Sequence, residues 1–438
     1  MIERIRGVFS QSKRLVQRSP FARNVTSTFA VQIITLFIAT ANAAVIARLL
    51  GPSGKGILAL TILVPNVLAL FLSGGIGVAN VYFAGRGRFD VRTLTGNAMA
   101  FTLMATLLGI VVTAVMVMSG LLPKMLPGIP LGLLAVSMLG LPFNLLNSYF
   151  MTILQGLQLI SRINVVSLLQ RTFTFGLTVL FVVVFHWNLL GAVLAVLLSL
   201  AASVVIMGAL LKRRGASFWP RWSRPVMRTT LNFGLRGYVG NVLQFFNYRL
   251  DLFLVNYFLG TSGAGIYTVS VAMAEMLWYL PNAVGFVIFP KAANTTAEVM
   301  NRFTPRVFRA TLALTALGAV VLAIIGKPFI TIVYSPTFAS AYLPMLALLP
   351  GVVLLGGGKV LTNEVAGRGF PQYNSIASGV SLVLTVILDL LLIPRLGVLG
   401  ASIASTISYT AIFFLALGFY RTVVRRARNS VPAPMQPK

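Results

Sequence analysis

The sequence predicts an all-α polytopic membrane protein of about twelve transmembrane helices, in two six-helix bundles related by an internal parallel repeat. Three observations carry this. Of the 438 residues, 57% are hydrophobic and only 10% are charged, whereas soluble domains carry about 25% charged residues. Apolar stretches of about 18 residues or more, long enough to cross a bilayer, recur along the whole length. The third is self-similarity. LGPSGKGI at 50–57 returns as LGTSGAGI at 259–266, and the same offset of 209 residues carries LGA at 190–192 onto LGA at 399–401.

The elements follow in order. Residues 1–23 form a basic cytoplasmic segment in which Ile2, Ile5, Val8, Phe9, Leu15 and Val16 are interleaved with cations. That pattern predicts a short amphipathic helix on the inner membrane surface, and it holds no apolar core of cleavable-signal type. Six spans make the N-terminal bundle (24–211): 24–49, 55–84, 94–119, 129–155, 163–186 and 189–211. A basic cytoplasmic linker covers 212–230. Six more spans make the C-terminal bundle (231–420): 231–259, 264–290, 307–333, 341–366, 372–394 and 397–420. A cytoplasmic tail occupies 421–438.

An even number of spans puts both termini on one side, and the cations say which. The N-terminal segment and the 212–228 loop hold six each, the tail five, and the short loops on that side nine, or 26 of the 35 Lys and Arg. The opposite loops hold five: Arg48, Lys55, Lys124, Lys327 and Arg395. Cytoplasmic loops are enriched in Lys and Arg, so both termini are expected in the cytoplasm. The net charge of +28 is then topology and contact with anionic membrane lipids, and no nucleic-acid partner is called for. No cofactor or metal is expected either. Cysteine is absent, and the single histidine, His186, sits beside Trp187 at a span end with no second ligand nearby.

The loop GPSGKG raises the question of nucleotide binding. A phosphate-cradling P-loop needs four residues between its glycines and a Ser or Thr after the lysine. Here two residues separate Gly51 from Gly54, and Gly56 follows Lys55. The second copy has Ala264 where the first has Lys55, so the lysine is dispensable to whatever both copies share. The glycines instead predict a tight hairpin between long helices, with positive φ.

Ionisable residues inside spans are costly and mark polar paths. Span seven is the richest. At about 100° per residue, Arg236, Gly240, Gln244, Asn247 and Asp251 share one wedge, and Arg249 points the other way. Span one carries Ser27, Thr35 and Asn42 at the positions matching Arg236, Gln244 and Asp251. Further candidates are Arg171, Glu275, Lys359, Glu364 and Asp389. Internal pairing, for instance Arg249 with Glu275, competes with a binding role. Arg171 has no acid to meet in its own half, whose two acids, Glu3 and Asp90, lie in cytoplasmic segments. Cations left over in a membrane interior imply an anionic guest, and arginine suits phosphate. The candidate substrate-binding residues are therefore Arg236, Arg171, Arg249, Lys359, Gln244, Asn247 and Asn42. Asp251, Glu275 and Glu364 are candidate coupling or cavity acids. Tyr149, Tyr248, Trp278 and Tyr279 are aromatic residues that could stack on sugars or merely pack. No catalytic constellation is visible.

Two long stretches resemble a known family. YRLDLFLVNYFLGTSGAGIYTVSVAMAEMLWYLPNAVGFVIFPKAA (248–293) has an Asp, then LG-x-x-x-x-GIY, a lone Pro and a closing FP. NEVAGRGFPQYNSIASGVSLVLTVILDLLLIPRLGVLGASIASTIS (363–408) carries LIP-x-x-G-x-x-GA, and RLLGPSGKGILAL resembles the first hairpin. These resemble the polysaccharide biosynthesis and export family, the O-antigen flippases and their multidrug-extruding relatives. The resemblance implies a MATE-like V of two six-helix bundles around a central cavity. It implies a flippase, not an enzyme, that turns polyprenyl-pyrophosphate-linked oligosaccharide from the inner to the outer leaflet of a bacterial plasma membrane. Other polysaccharide assembly proteins are implied as partners. One alternative is a cation-coupled multidrug exporter of the same fold, disfavoured because spans one to six hold no acid. Another is a membrane glycan polymerase or ligase, disfavoured because the exterior loops are short.

Overall fold

In the computed structural model, residues 20–429 are described, and every regular element among them is helical. The expected amphipathic segment falls almost entirely outside the described residues, as does 430–438. The elements are α1 (Pro20–Leu72), α2 (Ile76–Gly85), α3 (Val91–Met118), α4 (Leu121–Met125), α5 (Leu131–Met138), α6 (Gly140–Gly156), α7 (Ile160–Thr178) and α8 (Asn188–Lys212). There follow α9 (Arg224–Glu275), α10 (Tyr279–Asn294), α11 (Ala297–Val333), α12 (Tyr342–Gly367), α13 (Gln372–Leu396) and α14 (Val398–Asn429). Among the described residues, ten helices, some counted across a short break, are long and apolar enough to cross a membrane.

The difference between ten and twelve has a local cause. The two longest elements, α1 and α9, are each two helices joined at one non-helical residue. In α1 this is Gly51, with φ 65° and ψ −174°; in α9 it is Gly260, with φ 72° and ψ −175°. These positions are 209 residues apart, so the repeat read from the sequence reappears as one backbone conformation used twice. A left-handed φ with extended ψ is open to glycine and very costly for a residue with a Cβ. Cutting both helices there gives twelve spans that match the hydropathy reading.

Local signals account for other boundaries. Asp90 accepts a hydrogen bond from Thr93 N at 3.1 Å at the start of α3, as an N-cap should. The fifth span continues α7 through a π-helical stretch, Val179–Val184. It ends where His186 and Asn188 adopt φ of 56° and 48°, with Phe181 stacked on Trp187. A ring belt at a helix end suits a membrane interface. His186 is thus part of a chain reversal, as its neighbourhood predicts.

The chain forms two compact units. One comprises the described part of Met1–Val45 with Val64–Val112 and Gly132–Arg236. Its core joins α2, α3, α6, α7 and α8 through Leu94, Phe150, Ile153, Ile163, Met207 and Leu211. Tyr149 is fully buried there and donates to Ser73 O at 3.1 Å. It is a packing residue, not one free to stack on a sugar. The other unit comprises Ile46–Leu63, Thr113–Leu131 and the described part of Gly237–Lys438. In it α12 is the central helix, packed against α10, α11 and α14. Its run Gly356, Gly357 and Gly358 lets Pro281, Phe308 and Phe413 come close, the use of small residues expected where membrane helices pack tightly.

Candidate functional site: a cationic and aromatic cluster

Within this second unit, residues from α9, α10, α12 and α14 and from the 3₁₀ turn after α9 meet in one half-buried cluster. Glu275 ends α9, and the chain then makes the turn Met276–Trp278 before α10. The Gly260 corner folds the two halves of α9 together, and this brings Glu275 to Arg249 as it brings Tyr267 to Asp251. The Glu275 carboxylate accepts from both terminal nitrogens of Arg249, at 3.2 and 3.3 Å. Arg249 also donates to Tyr248 O at 3.0 Å. The pair is not sealed from its surroundings: the Arg249 side chain is 38% exposed and that of Glu275 22%.

A second cation stands beside it. Lys359 Nζ lies 3.9 Å from the centre of the Trp278 ring and 5.7 Å from that of Tyr248, within cation–π range. It donates to Asn282 Oδ1 at 3.1 Å. Trp278 is fixed by its own indole N–H, which donates to Val352 O at 3.0 Å. Tyr248, Trp278 and Tyr409 form a mutual triangle, with ring centres 5.3, 5.6 and 6.0 Å apart. Two cations against one carboxylate leave the cluster with one surplus positive charge in a membrane-spanning region. Rings and fixed donors around a surplus cation can hold an anion next to a flat, hydroxylated surface such as a sugar.

Deeper in the same unit lies a polar seam. Asn247 Nδ2 donates to Ser381 Oγ at 3.0 Å, and Thr385 donates to Asn247 Oδ1 at 3.1 Å. One turn along α9, Asp251 accepts from Leu252 N at 2.8 Å, from Ser405 at 3.3 Å, and from the Tyr267 hydroxyl. Asp389 on α13 interacts electrostatically with Asp251. It is completely buried, and neither of its carboxyl oxygens has a hydrogen-bond partner.

The candidates from the sequence therefore separate. Arg249, Glu275 and Lys359 come together, with Gln244 at the edge donating to Tyr248 Oη at 3.3 Å. Asn247 and Asp251 belong to the buried seam, so the wedge read from α9 is not one continuous lining: Gly240 on the same wedge packs against Ser375. Glu364 is buried and pairs with Arg368, four residues on. Asn42 is half-buried, with an unpartnered Oδ1. Arg171 is exposed on α7 and is in none of the ion pairs between described side chains. Arg236 lies in α9, but its side chain is outside the described ones. Among the contributors not singled out from the sequence are Tyr409, Tyr267 and Asn282, and the seam hydroxyls of Ser381, Thr385 and Ser405. Tyr267 sits in the GIY motif, which was a usable signal. Tyr409 and Asn282 have none, because only tertiary packing brings them in.

A family model described as "Polysaccharide biosynthesis protein" matches residues 45–343. An uncharacterized membrane protein of Methanocaldococcus jannaschii is 23% identical over 288 residues, covering 62% of this chain and 56% of that protein. A probable low-salt glycan biosynthesis flippase of Haloferax volcanii is 22% identical over 191 residues, covering 42% of this chain and 39% of that protein. The chain thus spans about half the length of the curated relatives it matches. Among solved structures, the lipid II flippase MurJ in an inward closed conformation superposes with a TM-score of 0.73 at 13% identity, covering 93% of this chain and 90% of that one. An inward-facing multidrug resistance MATE family transporter of the MOP superfamily gives 0.69 at 14% identity, covering 93% and 99%. At these identities the superpositions speak for the fold alone.

Proposed function

Because the chain belongs to the polysaccharide biosynthesis protein family and has the fold of MOP-superfamily transporters, we propose that it flips a lipid-linked oligosaccharide between the leaflets. The cargo is a polyprenyl-pyrophosphate-linked glycan destined for a surface polysaccharide. The membrane is a bacterial plasma membrane with both termini cytoplasmic, and the direction is outward. The observation that carries this reading is the surplus positive charge of Arg249, Lys359 and Glu275 beside the rings of Tyr248, Trp278 and Tyr409. A pyrophosphate is a fitting counter-charge for Lys359 and the exposed edge of Arg249, and rings stack on sugars. Arg236 and Arg171, which belong to the first unit, are kept as further candidate headgroup-binding cations.

The energetics suit an anionic headgroup. Moving one negative charge outward down the membrane potential releases about 2.3 kcal/mol per 100 mV. A pyrophosphate diester with about two charges releases roughly twice that, less whatever the protein's own charges carry with it. The cationic cluster offsets headgroup desolvation, and alternating access exposes it to each side in turn.

A second reading, cation-coupled export of multiple drugs, is favoured by one feature, the buried acids Asp251 and Asp389. The sign of the half-buried cluster opposes it, since a cationic drug would meet a net positive charge. Reconstitution separates the two. In vesicles holding a fluorescent polyprenyl-pyrophosphate disaccharide, protein-dependent quenching of the inner-leaflet pool by an impermeant reductant is expected. A protein that leaves that pool untouched and moves cationic dyes instead is the multidrug exporter.

A further inference from the structure

A pocket at the C-terminal end of α12 has no place in this reading. Its volume is about 510 Å³, and it opens where the C-terminal ends of α10, α12 and α14 meet the start of α11. Its walls include Thr295, Ala297, Gly367, Arg368, Phe370 and Arg426. The ends of spans eight, ten and twelve all fall on one membrane face, and by the cation count that face is the cation-rich one.

Arg368 gives the pocket its chemistry. Its side chain is only 8% exposed. Nε donates to Glu364 Oε1 at 2.6 Å, and Nη2 donates to Asn301 Oδ1 at 2.8 Å. Nη1 is buried and has no partner. Leaving charged donors buried and unmatched is costly. A guanidinium braced on two sides with its third nitrogen unused is preorganised for a further acceptor. Arg426 adds a second cation to the wall. Phe370 and Val423 supply an apolar flank.

We infer that this pocket binds a phosphate group, with Arg368 Nη1 as the buried donor, Arg426 as the outer cation and Thr295 as the hydroxyl at the rim. The source we favour is the headgroup of an anionic membrane phospholipid. The pocket lies at span ends, its flank is apolar, and inner leaflets present such headgroups to basic residues. A phosphate-bearing solute offers the same chemistry.

The test is binding to the full chain in neutral detergent, by native mass spectrometry, with phosphatidylglycerol, phosphatidylcholine and inorganic pyrophosphate as probes. It reads no transport, so it stands or fails apart from the flippase reading. One phosphatidylglycerol is expected to bind at least tenfold more tightly than phosphatidylcholine. Ala297→Trp, which fills the pocket, and Arg426→Gln are each expected to lower that affinity about tenfold at an unchanged melting temperature. Neither variant touches the Arg368–Glu364 pair, and the melting temperature of each reports its folding. Displacement of the lipid by pyrophosphate with the same loss in both variants would assign the site to a soluble phosphate compound. Equal binding of the two lipids, or wild-type affinity in both folded variants, would overturn the proposal.

Discussion

Gly56 and Gly265, equivalent positions in the two copies of the repeat, pack against each other's hairpins. A methyl carbon built on Gly56 would overlap the Thr261 carbonyl and lie 2.8 Å from Gly265 N; one built on Gly265 would overlap the Pro52 carbonyl and lie 3.1 Å from Gly56 N. Pro52 and Thr261 are themselves 209 residues apart, so the contact is reciprocal. Ser53 and Thr261 share a hydroxyl hydrogen bond of 2.7 Å across it. Arg48 clamps the same region by donating to the carbonyls of Val333, at 3.0 Å, and Ile332. The motif that resembles a nucleotide loop is therefore a docking surface between two turns.

That contact predicts a sharp hierarchy of substitutions. Gly56→Val or Gly265→Val should destabilise by about 1–3 kcal/mol or more, the range for overpacking a tight contact, and should lower membrane abundance. Gly51→Val should do the same through its left-handed φ. Lys55→Ala should be silent, because Ala264 already fills that place in the other copy. Abundance and thermal unfolding in detergent check this. Normal melting in both valine variants would mean the hairpins do not depend on close approach.

Much of the fold was readable because bilayers impose it. Hydropathy gave the spans, and the 209-residue offset gave the repeat. The two glycine corners were foreseeable from the same eight-residue motif, which keeps Gly51 as Gly260; Gly56 and Gly265, kept beside the replaced lysine, have no positive φ and serve close approach instead. The site was less legible. A helical wheel placed Asp251, Asn247 and Gln244 together, but a wheel cannot say which neighbour each meets. Asn247 and Asp251 turned out to face α13 and α14. Arg249, on the other side of the wheel, meets Glu275 because the Gly260 corner folds the two halves of α9 together, a pairing that no wheel of one span shows. Tyr409 joined from about 160 residues further on.

The charge surplus predicts an asymmetry between partners. Glu275→Gln raises the cluster to two unneutralised cations and should keep or tighten headgroup binding while slowing release. Arg249→Gln leaves one cation and one acid and should abolish export at normal abundance. The double variant Arg249→Gln/Glu275→Gln restores a single surplus charge on Lys359 and should recover part of the export lost in Arg249→Gln. Initial rates of flipping in vesicles, normalised to protein, read this. If the double variant is no better than Arg249→Gln, the pair serves geometry and not charge.

Lys359 gives a separate handle. Its ammonium over Trp278 is worth about 0.5–2 kcal/mol in similar settings, so Trp278→Leu should weaken cargo affinity and cost some stability through the lost hydrogen bond to Val352 O. Lys359→Gln should cost affinity without much change in melting. A melting temperature that falls as far in Lys359→Gln as in Trp278→Leu would make the lysine a packing element.

Orientation can be read directly. A reporter active only outside the cytoplasm, fused after Ser262 at the second hairpin, should give signal; the same reporter after Ala216 in the basic linker should give none. The cation asymmetry of 26 against five is the reason. The reverse pattern would invert the direction of transport.

The buried acids carry the last prediction. Asp251 is held by Tyr267, Ser405 and the Leu252 amide, whereas Asp389 interacts with it and has no hydrogen-bond partner of its own. Two carboxylates sharing an apolar interior repel, and the repulsion is relieved by a cation between them or by a proton on one. Either event would change how α9 and α13 hold together, which is what coupling to an ion gradient requires. Asp389→Asn removes the charge and keeps the shape. It should melt at or above the wild-type temperature, and flipping should stop responding to an imposed sodium or pH gradient while a basal rate remains. Asp251→Asn, which disturbs a seam of three hydrogen bonds, should cost both stability and rate. Flipping by Asp389→Asn that follows the gradient as the wild type does would remove these acids from coupling and leave the membrane potential as the drive.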